Sequence, residues 1–398
     1  MFSFIKSPVV FLGCLFTIVG CSTEVDVYKP VEAPVVTNEI KVEEVWSRSV
    51  GSGVGEFYSQ LSPAIDDEHI YAASRNGDVY AFIKSDGEKI WHTDLDDEDE
   101  NDDRRSTRLS GGIALDDNNL YVASENGYLY ALSKNDGSLL WKYNVNAEVL
   151  AAPASDNTLV FVLTVNGELI AFDVNTGEKK WSNGTDNNIL SLRGNSTPVA
   201  IGGLVVYGTS DGKINLVKAE NGLLLQQLEV GSARGKTRLA RLNDVNSSPL
   251  ILQNELYALA FHGDFQGFIL PRANKIWQRK YASYQNMAYD LTDIAITDTS
   301  SHVYGIIRVD GSQRWVNTAL TYRNVTAPAY YGDYVVVGDY EGYMYWIDGA
   351  TGEFKLMTKV DSSGLYTAPI VDDEFVYIQS RGGDLYAYKL LNEESEEE

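Results

Sequence analysis

The sequence predicts an all-β fold, an eight-bladed β-propeller of four-stranded antiparallel blades. Three short pieces that recur along the 398 residues predict it: a Gly four residues before a Trp, an Asn-Gly pair between alternating apolar residues, and a Pro that follows a small residue. Self-similarity at a period of about 43 residues is typical of repeat architectures, and four strands in that length match one propeller blade.

The clearest unit runs from Ala171 to Trp181 and reads AFDVNTGEKKW. Its Gly-to-Trp spacing recurs, intact or in degraded form, at Gly87/Trp91, Gly137/Trp141, Gly311/Trp315, Gly222/Gln226, Ala273/Trp277 and Gly352/Leu356. Trp46 has the same flanks but no preceding Gly. The unit therefore marks one strand in each repeat.

A second piece upstream of each unit predicts a β-hairpin. Tyr71 to Ala81 (YAASRNGDVYA) aligns with Tyr121 to Ala131 (YVASENGYLYA), and 161–171 is a third copy. Asn-Gly suits the two-residue turn because both turn residues take positive φ there. Later copies are marked by Asp211-Gly212, Glu341-Gly342 and Gly382-Gly383.

A small residue followed by Pro precedes most hairpins and predicts the first, innermost strand of each blade, where Pro removes no ladder bond. Eight such strands are predicted, with starts near residues 63, 112, 153, 198, 249, 292, 328 and 369. The last repeat stops at Leu391 without a Trp strand, whereas an extra strand at 44–46 precedes the first repeat. We therefore expect the N-terminal strand to complete the last blade and close the ring, which leaves no open end to the propeller.

The formal charge of −24 argues against a nucleic-acid partner, because phosphate binding needs a positive patch. Part of the charge lies in an acidic run at 94–103 and in an acidic tail at 392–398. Such runs are usually solvated. The propeller is thus predicted to occupy residues 42–391.

The first residues resemble a bacterial lipoprotein signal peptide. Lys6 precedes an apolar stretch too short to span a bilayer, and Ile18-Val19-Gly20-Cys21 follows. Residues 1–20 are therefore predicted to be removed, with Cys21 acylated and residues 21–41 acting as a flexible tether. By the same resemblance, Ser22 directs the protein to the outer membrane. No unmodified Cys would then remain for a disulfide.

The Thr-Gly-x-x-x-Trp unit resembles the quinoprotein-type propeller repeat. That resemblance implies a structural role for the tryptophans, which pack across the interfaces between blades. The residues concerned are Trp46, Trp91, Trp141, Trp181, Trp277 and Trp315.

Together with the lipoprotein signal and the length, the repeat resembles the BamB family, lipoproteins of the outer-membrane β-barrel assembly machinery. Two segments carry the resemblance most specifically, LSLRGNS at 190–196 and RLNDVN at 241–246. The resemblance implies a surface that binds the periplasmic POTRA domains of BamA, the barrel-inserting subunit, and that assists nascent outer-membrane proteins. The residues implied are Leu190, Leu192, Arg193, Asp244 and Asn246.

The positions of these residues support that surface on physical grounds. Both segments fall in connections between adjacent blades, so they should be neighbours on one face. An exposed Leu190 and Leu192 rimmed by Arg193 and Asp244 would form a plausible binding hot spot. The alternative is that the leucines tuck under their own loop.

No catalytic, metal or cofactor site is predicted. The four histidines are scattered, and Ser210 in a G-x-S-x-G match aligns with the hairpin position of Ser74 and Ser124. A quinoprotein dehydrogenase is the enzymatic alternative, but by resemblance it needs a longer chain and an adjacent Cys pair, and the two cysteines here are Cys14 and Cys21. A propeller-type envelope binding protein or adhesin is the other alternative. The favoured prediction is a binding protein without a cofactor.

Overall fold

The structure is a computed structural model that describes residues 28–57, 59–96, 107–184, 192–231 and 242–391. Within these ranges the chain forms strands, turns and connections and no helix. The strands assemble into eight four-stranded antiparallel sheets arranged as the blades of a ring, which confirms the predicted eight-bladed propeller.

The strands up to residue 229 are β1 (Val42–Ser49), β2 (Ala64–Ile65), β3 (His69–Ala73), β4 (Asp78–Ile83), β5 (Lys89–Asp94), β6 (Leu109–Leu115), β7 (Asn119–Ser124), β8 (Tyr128–Ser133), β9 (Leu139–Asn144), β10 (Ala154–Ser155), β11 (Leu159–Leu163), β12 (Glu168–Asp173), β13 (Lys179–Gly184), β14 (Val199–Ile201), β15 (Leu204–Gly208), β16 (Lys213–Lys218) and β17 (Leu224–Glu229). The later strands are β18 (Leu250–Leu252), β19 (Glu255–Leu259), β20 (Phe265–Ile269), β21 (Asn274–Arg279), β22 (Ala288–Tyr289), β23 (Asp293–Thr297), β24 (Val303–Ile307), β25 (Gln313–Asn317), β26 (Ala329–Tyr331), β27 (Tyr334–Gly338), β28 (Tyr343–Asp348), β29 (Phe354–Lys359), β30 (Ile370–Val371), β31 (Val376–Gln379) and β32 (Asp384–Leu390). Blades 1 to 7 each take four consecutive strands, from β2–β5 to β26–β29, and the first strand of each is innermost.

The ring closes through its N-terminal strand. Blade 8 has the order β30-β31-β32-β1, and β1 pairs antiparallel with β32 from Val42 opposite Leu390 to Ser49 opposite Asp384. The predicted closure is therefore confirmed. It gives the last blade the fourth strand that its own repeat lacks.

One inner strand was predicted in the wrong place. Blade 6 begins with β22 at Ala288–Tyr289, four residues before the predicted start near 292, which instead adjoins the second strand β23. No Pro marks this blade, since Met287 stands where most other blades have Pro. Without that signal, the sequence pattern points to the apolar run of the second strand and not to the first strand.

The antiparallel order places two kinds of segment at one face of the ring. The turns between second and third strands lie there together with the connections between blades, and we call this side the loop face. Several of the described connections begin by donating a backbone hydrogen bond to a turn glycine, as Leu95 does to Gly77 and Val145 to Gly127, at 3.0 and 2.7 Å. The opposite side, which carries the other turns, is the turn face.

The repeated tryptophans join each blade to the next. In the best example, the Trp91 indole N–H donates to the carbonyl of Lys134 at 2.8 Å, and the ring lies against Gly137. A Cβ at Gly137 would stand 2.4 Å from the indole and would clash with it. The φ of +71° also favours glycine, because other residues are strained there. The same contact joins Trp46 to Gly87, Trp141 to Gly177, Trp181 to Gly222, Trp277 to Gly311 and Trp315 to Gly352.

Blade 4 carries a degraded repeat. It has Gln226 where most other blades have Trp, and the side-chain amide donates to the carbonyl of Arg272 at 3.2 Å, one residue before the turn position, whereas each of those indoles reaches the carbonyl three residues before the turn Gly. The facing residue in blade 5 is Ala273, which keeps the turn conformation at φ +49°. A side chain is tolerated at this turn because no indole covers it. Each turn Gly is therefore required by the Trp of the preceding blade, and not by the Trp that follows it in its own repeat.

Candidate functional site

The candidate site lies on the loop face, where the connections between blades 3 and 4 and between blades 4 and 5 meet. Leu190 lies outside the described residues. Leu192 is half-buried, and Arg193 is exposed, with 48% of its side chain accessible. Asn246 is half-buried on the neighbouring connection. The structure therefore brings three of the five predicted residues to one surface region.

Asp244 differs from its predicted position at an exposed rim. Its side chain is completely buried, with 0% exposure, and its Oδ2 accepts the backbone N–H of Leu192. The other oxygen, Oδ1, has no hydrogen-bond partner among the described residues. Asp244 thus lies beneath the surface and joins the two connections, so a direct contact with a partner would require it to be uncovered.

Burial raises the pKa of Asp244 from 3.8 to about 6. Removal from water is the largest cause, because it disfavours the carboxylate. The Leu192 N–H and the nearby His262 act in the opposite direction, but they offset only part of the increase. A carboxylate in this position destabilises the fold at neutral pH.

The segment that carries Asp244 is fixed by its backbone. Val245 donates to the carbonyl of Thr209 at 3.1 Å, and the side-chain amide of Asn243 donates to the carbonyl of Asp211 at 3.1 Å. Gly208 permits this close approach, since a Cβ there would be 2.1 Å from the carbonyl oxygen of Val245. The hairpin turn of blade 4 therefore fixes the position of Asp244, and the carboxylate of Asp244 accepts the Leu192 N–H.

Arg193 reaches back across the face towards blade 2. Its guanidinium lies 3.5 Å from a carboxylate oxygen of Glu125 and 3.5 Å from one of Glu148. Glu125 also accepts hydrogen bonds from Nη2 and Nε of Arg75, at 2.9 and 3.2 Å, and these two side chains are about 10% exposed. Arg193 is thus the exposed end of an ion-pair chain that links blades 1, 2 and 3.

The sequence carried a signal for this network that was not used. Arg75 and Glu125 occupy the same position of the repeat in adjacent blades, directly before the Asn-Gly turn. Opposite charges at equivalent positions of neighbouring blades face each other across the interface. Repeat alignment could therefore have identified the pair, although not the approach of Arg193 from a connection.

A cavity of about 270 Å³ opens beside these residues. Leu150, Leu163 and Leu192 give it an apolar wall, and Asn246 and Arg193 stand at its polar side. It can accept one apolar side chain of a binding partner with polar contacts around it. Its position between two interblade connections makes it part of the same site.

None of the elements in the described ranges is a helix long and apolar enough to cross a membrane. No three His, Cys, Asp or Glu side chains in the same ranges are grouped as metal ligands would be.

Comparison with known proteins identifies the relatives of this chain. Residues 75–317 and 318–394 match the family described as outer membrane protein assembly factor BamB. The BamB of Yersinia pestis is 35% identical over 387 residues, covering 96% of this chain and 98% of that protein. The BamB of Vibrio cholerae is 39% identical over 373 residues, covering 94% and 95%.

Solved structures share the fold. The crystal structure of BamB from Moraxella catarrhalis superimposes with a TM-score of 0.79 at 23% identity, covering 88% of this chain and all of the other. A quinohemoprotein alcohol dehydrogenase from Pseudomonas putida HK5 gives a TM-score of 0.69 at 13% identity, with 87% and 76% covered. Since the same ring is found in an enzyme, the fold alone does not decide function.

Proposed function

Because the chain belongs to the BamB family of outer membrane protein assembly factors, we propose that it is a non-catalytic accessory subunit of the β-barrel assembly machinery that binds the POTRA domains of BamA. Binding would assist the folding and insertion of outer-membrane β-barrel proteins. The curated relatives are named as assembly factors and not as enzymes, and this favours the scaffold over a dehydrogenase. It equally disfavours an adhesin.

The observation that carries the proposal is the buried bond between Asp244 and the Leu192 N–H. Keeping a carboxylate with one unpaired oxygen in the interior destabilises the protein, and stability alone gives no reason for it. The bond does give a defined shape to the connection that presents Leu192 and Arg193. We infer that Asp244 acts by positioning this connection, and that Leu192, Arg193 and Asn246 contact the partner.

Arg193 would serve as the polar anchor of the contact. Its two ion pairs are long, at 3.5 Å, and nearly half of the side chain is accessible, so a partner carboxylate could join the guanidinium without displacing Glu125. Bidentate recognition of carboxylates is what a guanidinium does best. The adjacent cavity would take an apolar side chain of the same partner segment.

We further propose that Cys21 is acylated and that the protein is held at the periplasmic face of the outer membrane. Cys21 lies outside the described residues, so the support is the lipobox-like sequence together with the outer-membrane role of the relatives.

The test is a double variant, Leu192→Ala with Arg193→Ala, assayed for co-purification with BamA from envelope membranes. We expect loss of BamA with an unchanged unfolding temperature. The matched control is Leu291→Ala with Arg272→Ala, which removes an exposed Leu and an exposed Arg from the turn face. The site assignment is wrong if the folded site variant recovers as much BamA as the control.

A further inference from the structure

Residues 28–41, for which the sequence predicts a flexible tether, lie along the outer edge of blade 7, and we call them the strap. The Glu39 N–H donates to the carbonyl of Lys355 at 2.8 Å, and its carboxylate pairs with the Lys355 ammonium at 2.6 Å. The Asn38 side chain accepts the Met357 N–H at 3.0 Å and donates to the Met357 carbonyl at 3.3 Å. The strap thus binds the free edge of β29 through one backbone hydrogen bond, two side-chain hydrogen bonds and one ion pair.

The other end of the strap is held on the loop face, at the connection between blades 6 and 7. Val31 donates to the carbonyl of Thr321 at 3.1 Å, and its own carbonyl accepts from the Arg323 guanidinium at 2.9 Å. The ring of Tyr28 lies edge-on to that of Tyr322, with centroids 5.5 Å apart. The chain therefore enters at the loop face and descends the outside of the ring to β1.

Arg323 makes this attachment specific. The side chain is 1% exposed and pairs with the fully buried Asp339 at 2.7 Å and with Glu341. Its third nitrogen, Nη1, donates to the Val31 carbonyl of the strap. The buried guanidinium fixes the position of the strap. If the strap moved, the N–H that donates to the Val31 carbonyl would be left buried without an acceptor.

The position of Tyr28 limits the reach of any anchor at Cys21. The two are seven positions apart in the sequence, so the distance is at most about 25 Å even when the chain is fully extended. If all residues up to 41 were free, the limit would be about 70 Å. The net charge of −24 gives no general attraction to an anionic lipid surface, so orientation must come from the attachment itself.

We propose that the strap holds the loop face, at blades 6 and 7, against the lipid surface in which Cys21 is anchored, with the turn face directed away. This inference rests on the proposed acylation of Cys21. It places the candidate site on the membrane-facing side of the ring. A partner whose domains lie close to the membrane would then meet the site without reorientation of the propeller.

The test measures the distance of each face from the membrane. A fluorophore is placed on one of two new cysteines in the acylated full-length protein: Ala319→Cys on the loop face or Ala350→Cys on the turn face, both exposed. The protein is inserted into phosphatidylethanolamine and phosphatidylglycerol vesicles that contain a nitroxide-labelled lipid. Because a six-residue strand such as β29 spans about 20 Å, we expect several-fold stronger quenching at position 319.

Releasing the strap should abolish that difference. Tyr28→Ala and Val31→Pro remove the loop-face contacts with Tyr322 and Thr321, and Asn38→Ala and Glu39→Pro in the same protein remove the hydrogen bonds to β29. Val35→Ala changes a fully exposed strap residue and is the matched control. Circular dichroism and the unfolding temperature verify that the ring persists, and Tyr28→Ala with Val31→Pro replaces the fourfold variant if it does not.

The outcomes separate this inference from the anchor on which it rests. Mass spectrometry and flotation, with Cys21→Ser as reference, report acylation and membrane binding directly. Equal quenching at both positions in an acylated, membrane-bound protein would overturn the strap orientation while leaving the anchor intact. A mass without acyl chains would overturn the anchor and, with it, the orientation.

Discussion

Replacing Asp244 should separate positioning of the binding surface from stability of the ring. Ionising this buried carboxyl destabilises the fold at neutral pH by about 3 kcal/mol, which follows from a pKa raised from 3.8 to about 6. That figure is a net one, because it already includes the opposing bond from the Leu192 N–H. Asp244→Ala relieves this cost but leaves the Leu192 N–H without its acceptor, which costs about 1–3 kcal/mol, so the free energy of unfolding at pH 7.5 should change by less than about 2 kcal/mol.

The same substitution should have a large local effect. Without its acceptor, the Leu192 amide should exchange with solvent faster than in the wild type, and co-purification with BamA should be lost. Asp244→Asn keeps an acceptor oxygen in place without the charge, so binding should be retained. If Asp244 instead paired with a partner cation, Asn would bind as poorly as Ala. Loss of binding in the Asn variant would therefore refute the positioning role.

The pH dependence of stability gives a second check on Asp244. The folded protein holds this proton more tightly than the unfolded chain, so the contribution of the group to stability falls as pH rises from about 4 to about 6. The Asn variant lacks this dependence. Its stability relative to the wild type should increase by about 3 kcal/mol between pH 4 and pH 7, measured by urea unfolding. A difference that does not vary with pH would contradict the burial argument.

Two further predictions concern the ring itself. Gly137→Ala should lower the free energy of unfolding by about 2–4 kcal/mol, because the added methyl group meets Trp91 at a positive φ, whereas Ala273→Gly at the turn without an indole should change it by less than about 1 kcal/mol. Similar effects of the two substitutions in chemical denaturation would disprove the coupling between blades. Arg323→Ala leaves Asp339 buried without its cation and should destabilise by about 3–5 kcal/mol, and a wild-type unfolding midpoint would show that the pair is not needed.

The repeat predicted most of the fold because each blade needs the same local chemistry. An Asn-Gly turn such as that at Gly127 fixes a hairpin wherever it occurs, and a Gly before Trp91 or its equivalents fixes an interblade contact. The strand at Ala288 was misplaced because its blade lacks the Pro signal. The unit spacing could not reveal that Gly137 serves the Trp of the preceding blade, since that contact links residues of different repeats.

The candidate site was less predictable from sequence. The connections were correctly predicted to lie on adjacent blades, but whether Asp244 faces solvent or the interior depends on how Gly208 and Val245 pack, and no local pattern encodes that. The strap was missed for a related reason. Its residues have no strand periodicity, and Asn38 and Glu39 bind β29 through individual hydrogen bonds rather than a continuous ladder.

Closure of the ring by β1 has a consequence for the order of folding. Glu44 and Tyr388, which face each other in blade 8, are 344 residues apart. Bringing such distant segments of the unfolded chain together costs about 5 kcal/mol of free energy at room temperature, because chain entropy is lost. No pairing energy is gained until the two strands meet. We therefore expect the seven consecutive blades to form first and the junction to form last. Until then β32 presents an unpaired edge, so a newly synthesised chain is most vulnerable to aggregation just before β1 and β32 pair.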